Sequence, residues 1–371
     1  MNIEFNGVRL LAKKNRVSIL KTIDSVIKKG VFLNGYENKK FIDKLKKYLG
    51  GGYITLTGGG HYALVAAVRS LGLSRTDELI LPANAYPTAF AVARAHVGKL
   101  RLVGVDENGL IDVEKLKSTI TKKTKALIVV HLYGFIVPME ELLAICKKRS
   151  IILIEDCAQA FGSYSNGQPA GSFGDISCFS FYPTKNYGTL GDGGAVWTKN
   201  KEYHRYFQKV VAYGETRRYK SKFVADHSRL PEIQAAILNS LYKNVWTEKK
   251  DKQLVFKKYM QLFKNSRLLN DVVRVLNPEA KDDIDRHLFV IEVGKRNQLR
   301  KYLKRRGITT SVHYPEPIHL ISAFGYLGYR KGAFPQVEKL ASRIVSLPFH
   351  AYLKDKEMSY VVESIKSFYH V

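Results

Sequence analysis

The chain has 371 residues, 45% of them hydrophobic, with 60 Lys and Arg against 33 Asp and Glu for a formal net charge of +27. That length suffices for a sizeable core and two subdomains. No run reaches the ~18 apolar residues of a membrane span, and three scattered cysteines (Cys146, Cys157, Cys178) without CxxC spacing exclude a disulfide frame or zinc site and fit reduced thiols in a cytoplasmic protein.

The basic residues are dispersed and interleaved with acids, as in ENKKFIDKLKK and TEKKDK, with neither heptads nor zinc spacing. No nucleic-acid partner and no integral membrane association are expected. The charge reads as a solvated lysine-rich surface that also attracts anionic ligands. Residues 1–30 read as a helical N-terminal arm, without the apolar stretch of a secretory signal. A polar helix over 37–48 ends at Gly50-Gly51-Gly52, a short strand covers 53–56, and Thr57-Gly58-Gly59-Gly60-His61 opens an apolar helix over 62–71. A glycine turn between strand and helix offers free N–H groups and the positive end of a helix dipole, which suits a phosphate. A plain glycine turn is the other reading. A dinucleotide fingerprint is disfavoured, because GGGH is not GxGxxG and Asp77 and Glu78 precede the next strand instead of following it.

Strands over 78–81, 100–105 and 126–132, with helices over 113–120 and 139–148, alternate as in a mostly parallel α/β sheet. His131, at the end of VVH, is either a substrate contact or a satisfied buried histidine. The next strand, within SIILIEDCAQ, ends in acids, with Asp156 at its tip and Gln159 in the following turn. In open α/β sheets, ligands bind outside the carboxyl ends of the strands. The stretch GSFGDISCFSFYPTKNYGTLGDGG (171–194) then runs from a turn through a buried strand over 176–181 to Lys185, in a small-residue loop. Partial desolvation there lowers the pKa of an amine and raises its nucleophilic fraction; an ordinary surface lysine is the bland alternative. An acid on one strand tip, with Lys185 and Ser180 on another, meets the needs of pyridoxal phosphate. The carboxylate keeps the ring nitrogen protonated, the amine forms a Schiff base, and the hydroxyl binds phosphate.

After a strand over 195–198 and a helix over 201–212 comes the loop YGETRRY. Its Arg217, Arg218 and Tyr219 offer guanidinium forks for a pyrophosphate and a ring for stacking, or else form a mobile basic loop. Pro231 opens a helix over 232–241. From about residue 245 the composition turns more charged, which divides the chain into a large domain (1–245) and a small C-terminal α+β domain (246–371). The small domain is expected to carry strands over 287–293 and 309–314, with helices over 297–306, 335–346 and 355–369.

The blocks IEDCAQAFGS, GSFGDISCFSFYPTKNYGTLGDGG and SRLPEIQAAIL resemble the DegT/DnrJ/EryC1/StrS family of pyridoxal-phosphate-dependent (PLP) sugar aminotransferases. The resemblance runs from FLNGYENKKF to LPFH. It implies PLP fold type I and a homodimer with active sites at the interface. For the cofactor it implies Lys185 and Asp156 as catalytic residues, Tyr86 on the pyridine face, Gln159 near the phenolic oxygen, and Ser180, Gly60 and His61 at the phosphate. His227 stands where the family has an asparagine that reaches the neighbouring subunit's phosphate. Gly59-Gly60-His61 stands where it has Ser-Gly-Thr, so two hydroxyls are missing. Tyr182, Arg217, Arg218, Tyr219 and the segment His313-Tyr314-Pro315-Glu316-Pro317-Ile318-His319 are implied substrate contacts, with no metal. The implied reaction aminates a nucleotide-linked keto sugar, with glutamate as donor. The YGETRRY loop favours amination at C3 over C4; a dTDP-3-keto-6-deoxyhexose is the expected substrate, with a 4-keto or UDP-linked sugar as the alternative and the nucleotide itself not readable from the sequence. A non-catalytic PLP-bound sensor is the rival reading, and whether the product enters surface polysaccharide or a secondary metabolite stays open.

Overall fold

The computed structural model describes residues 1–95, 98–269, 271–279 and 283–370. Seven segments rich in Ile, Leu, Val and Ala form the central sheet: β1 (Tyr53–Thr57), β2 (Glu78–Pro82), β3 (Lys99–Val103), β4 (Thr124–Val130), β5 (Ile152–Asp156), β6 (Ile176–Ser180) and β7 (Gly194–Thr198). Their spatial order is β1-β7-β6-β5-β4-β2-β3. Only β7 runs against its neighbours; the other pairings are parallel. Parallel strands covered on both faces carry continuous apolar runs, and β2 is accordingly buried along its whole length. The register sets Val130 beside Asp156 and Asp156 beside Cys178, so the tips of β4, β5 and β6 lie side by side.

Helices α1 (Val8–Lys14) and α2 (Arg16–Lys29) lie outside this sheet, α2 packing Ile19 against Ile237 and Leu241 of the long helix Glu232–Asn265, while α3 (Tyr36–Leu49), α4 (Gly60–Ser70), α5 (Tyr86–Arg94), α6 (Val113–Thr119), α7 (Met139–Arg149) and α8 (Lys201–Val210) flank it. Gly30 and Gly50 end α2 and α3 in the left-handed conformation that glycine adopts without strain. Asp112 and Asn200 cap α6 and α8 by accepting from first-turn N–H groups.

The expected break at 245 falls inside one continuous helix, α9 (Glu232–Asn265), of 34 residues. Its first half packs Ala235, Leu238 and Val245 into the main core, and its second half packs Val255, Tyr259 and Phe263 into a second cluster. Between them, the buried face carries Lys249 and Lys252, which pair with Asp283 and Asp285 at 2.6 Å each. Two lysines on the inner face interrupt the apolar period, and the sequence pattern therefore breaks where the helix does not. The second cluster also takes in Ile3, whose N–H donates to Gly307 O, so the N-terminus returns to the C-terminal part of the chain.

That part contains an antiparallel sheet β8 (Val273–Val275), β9 (Phe289–Val293) and β10 (Ile344–Leu347), with α10 (Arg296–Arg305), α11 (Pro335–Arg343) and α12 (Asp355–Tyr369). Two expectations are corrected here. The helix over 335–346 stops at Arg343, because β-branched Ile344 and Val345 pair with Glu292 and Ile291 of β9. The strand over 309–314 is reduced to a single bridge, Ser311 with Ser346, since Thr309 N–H is drawn instead to Ile3 O.

Candidate active site

A cavity of about 490 Å³ opens at the carboxyl ends of the strands. Lys185, Asp156, Gln159, Ser180, Tyr182, Tyr314 and the turn Gly58–His61 all line it. The sheet supplies Asp156 and Ser180 directly from adjacent tips. Lys185 comes from the tight turn after β6, closed by its own N–H donating to Tyr182 O at 2.9 Å and by Thr189 N–H on Phe181 O. A Cβ at Gly188 would meet Pro183 O at 2.6 Å, so only glycine lets the turn fold back this closely. Burial holds the Lys185 amine below its ordinary pKa, and the Asp156 charge opposes that shift.

The Asp156 carboxylate is buried and doubly anchored. Its Oδ2 accepts from the Thr88 hydroxyl at 2.6 Å, and its Oδ1 from Ala158 N–H at 3.0 Å. Gln159 accepts from Tyr133 N–H at 2.8 Å and donates to the Tyr314 hydroxyl at 3.2 Å. Tyr86 does not itself line the cavity; its ring stacks on Tyr314, 5.6 Å between centroids. Thr88 carries no motif of its own and escapes sequence reading.

At the other end, α4 begins at Gly60. The first-turn N–H groups of a helix have no partner within it, and here they face the cavity beside the Ser180 hydroxyl. A Cβ at Gly60 would come within 2.7 Å of Ser180 Cβ. Gly58 N–H is committed to Ser228 Oγ at 2.9 Å, and Asp192 also lines the space. These residues fit PLP: a cradle of backbone donors with a hydroxyl, a depressed amine, and a fixed buried carboxylate border one cavity of suitable size.

Behind the site, Glu155 is fully buried and accepts from Gly171, Phe173 and Gly174 N–H, Ser177 Oγ and the His131 ring. His131 Nδ1 in turn accepts from Val137 N–H. The trio His131, Glu155 and Cys157 has ligand-like spacing, but those bonds already engage both oxygens of Glu155 and both nitrogens of His131. His131 is thus the satisfied buried histidine and holds no position on the cavity.

Other expected residues lie elsewhere. Arg217, Arg218 and Tyr219 sit exposed on a two-stranded ribbon, Glu215–Arg217 with Lys220–Ser221, the Arg218 guanidinium over the Tyr219 ring. His227 is exposed and stacks on Tyr213 at 4.7 Å. His313 bonds Ser346 Oγ at 2.9 Å, and burial, then Lys185 and Arg300, pushes its imidazole down to about 4. His319 is buried against Glu338 at 2.9 Å. None of these six lines the cavity of this chain.

A model of the DegT/DnrJ/EryC1/StrS aminotransferase family matches residues 13–366. A "pleiotropic regulatory protein" of Geobacillus stearothermophilus is 34% identical, over 100% of this chain and 99% of its own. A dTDP-3-amino-3,6-dideoxy-α-D-galactopyranose transaminase of Aneurinibacillus thermoaerophilus is also 34% identical, over 99% of each. Among solved structures, DesV of S. venezuelae superposes with a TM-score of 0.93 at 28% identity, covering 99% of this chain and 98% of that one.

Proposed function

This chain belongs to the DegT/DnrJ/EryC1/StrS aminotransferase family and is a PLP-dependent sugar aminotransferase acting on nucleotide-linked keto sugars, and from that premise we propose that it aminates C3 of a dTDP-3-keto-6-deoxyhexose with glutamate as donor. The observation that carries the chemistry is that Asp156, at the tip of β5, and Lys185, in the turn after the adjacent β6, line one cavity together with the N-terminus of α4.

Bound PLP supplies an aldehyde that condenses with amines and a ring that takes up the electrons of a broken C–H bond. The protein supplies the rest. Lys185 Nζ would hold the cofactor through its aldehyde and, as a free amine, would move a proton at the substrate carbon. An amine held below its ordinary pKa has more of the free base that this step needs. Asp156 keeps a proton on the ring nitrogen, and Thr88 and Ala158 hold its two oxygens in place. Gln159, fixed by Tyr133 and Tyr314, orients the phenolic side. Gly60 and His61 N–H, with Ser180 Oγ, bind the phosphate. Tyr182 and Tyr314 border the space left for the sugar.

The YGETRRY loop and the 34% identity to a dTDP-3-amino sugar transaminase support the C3 position and the dTDP group. Arg217, Arg218, Tyr219 and His227 are exposed and do not line this chain's own cavity, which supports a homodimer in which they serve the site of the second copy. No helix among the described residues is long and apolar enough to cross a membrane. The test is an assay of the purified protein with PLP and glutamate against dTDP- and UDP-linked 3-keto and 4-keto sugars. Amination of a dTDP-3-keto sugar is expected; turnover confined to C4 ketones or to UDP sugars overturns the assignment.

A further inference from the structure

Lys185 is followed by Asn186, whose side chain is fully engaged. Its Nδ2 donates to two carbonyls, Asp285 O at 2.6 Å and Phe161 O at 3.3 Å, so Oδ1 is the end that meets His287 Nδ1 at 3.0 Å. An amide oxygen cannot donate, so the shared hydrogen belongs to the imidazole Nδ1. Burial, then the charges of Lys185 and Lys252, hold His287 well below its ordinary pKa, and that nitrogen carries the ring's single proton.

His287 is itself held firmly. Its N–H donates to Tyr133 O at 2.8 Å, and its loop is anchored to α9 through Lys249–Asp283 and Lys252–Asp285. Asp285 N–H donates to Ser163 Oγ, which donates to Gly134 O. A Cβ at Gly134, where φ is 98°, would run into Asp285 O. His287 does not line the large cavity. It borders instead a chamber of about 60 Å³ shared with Lys185, Glu248, Lys252 and Tyr352. The histidine therefore stands behind the lysine, away from the space assigned to substrate.

We propose that His287 is a positioning residue for Lys185, acting through its Nδ1–H bond to Asn186 Oδ1 to fix the lysine-bearing turn on the loop 283–287 while the amine moves between cofactor and substrate. The inference rests on the reading of Lys185 as the catalytic amine. A long, flexible side chain can deliver its amine to two places only from a fixed root, and a misplacement of ~1 Å costs on the order of 100-fold in rate.

Two measurements test it. Histidine ¹⁵N NMR on the wild-type apoprotein is expected to find His287 neutral with its proton on Nδ1; a proton on Nε2 overturns the proposal. In the PLP-loaded enzyme, His287→Leu is expected to lower kcat by ~10- to 100-fold, leaving KM for both substrates and cofactor affinity within ~3-fold of wild type. His287→Asn, which keeps an N–H near the Nδ1 position, should restore most of the loss. The double variant His287→Leu/Asn186→Leu should be no slower than the slower single variant, because the two act as one unit. Equal losses in the Leu and Asn variants, or losses that multiply in the double variant, overturn it. The NMR needs no turnover, so an inactive wild-type chain counts against the function alone.

Discussion

Gly60 stands so close to Ser180 that a Cβ at position 60 would lie 2.7 Å from the serine's Cβ. The approach brings the first N–H groups of α4 and the Ser180 hydroxyl to one point, the end of the cavity assigned to phosphate. Gly60→Ala is expected to force the two apart at a cost of ~1–3 kcal/mol, weakening PLP binding by ~10- to 100-fold in a fluorescence titration of the apoprotein. Gly59→Ala meets open space and should leave affinity within ~2-fold. Equal losses in the two variants would contradict the steric account.

Lys185 and Asp156 are coupled through the cavity, and the sign of that coupling can be read in the apoprotein. Burial disfavours the ammonium form, and the Asp156 anion partly restores it. Asp156→Asn should therefore move the Lys185 midpoint to lower pH, measured by the pH dependence of its labelling with an amine reagent. An upward shift would refute the coupling. In the loaded enzyme the same change should cut kcat by ~100-fold or more, at the scale of acid–base contributions. Because the unfolded chain binds the lysine proton more tightly than the folded apoprotein, this lysine's contribution makes stability rise with pH between the depressed value and the ordinary lysine range.

Glu155 is the structural partner of that pair. It takes three backbone N–H groups from the turn before β6, a serine hydroxyl and a histidine, with no exposure to solvent. A carboxylate only accepts, whereas an amide must also donate. Glu155→Gln therefore sets an N–H group against donors in a fully buried site. The expected cost is ~3–5 kcal/mol, read from urea denaturation of the apoprotein, with loosening of the turn 171–175 in hydrogen exchange. A variant as stable as the wild type would refute this role.

The parts of the molecule that sequence makes legible are those in which one local pattern serves one purpose. The strands ending in Asp156 and Ser180 are largely apolar and buried, and Gly171 and Gly188 after them mark turns with no room for a Cβ. Lys249 and Lys252 show the opposite case. Their charges read as surface, but their partners Asp283 and Asp285 are about thirty residues away in sequence, and only the fold reveals that α9 continues through them. Thr88, Asn186 and His287 are equally silent, since each matters through bonds to residues distant in sequence. The segment over 309–314 has strand-like composition, yet its hydrogen bonds divide between Ile3 and Ser346. Composition does not encode that competition.

The exposed ribbon supplies the last prediction. Arg217, Arg218 and Tyr219 are exposed and do not line the cavity of their own chain, while the chain carries a net charge of +27 and a substrate with a pyrophosphate needs cations near it. If these side chains complete the site of a second copy, two different lesions should rescue each other. Lys185→Ala removes the amine but keeps the ribbon; Arg217→Ala/Arg218→Ala keeps the amine but removes the guanidinium forks. Each homodimer alone should be nearly inactive, the second mainly through a raised KM for the nucleotide sugar. Unfolded and refolded together at equal amounts, they should form half heterodimers, each with one intact site, and recover about a quarter of wild-type activity. No recovery, with mixed dimers demonstrated by mass spectrometry, would mean that the ribbon serves its own subunit or none. Raising the salt concentration should lower kcat/KM for the nucleotide sugar in the wild type and lower it less steeply in the double arginine variant, which has two fewer cations near the substrate for salt to screen.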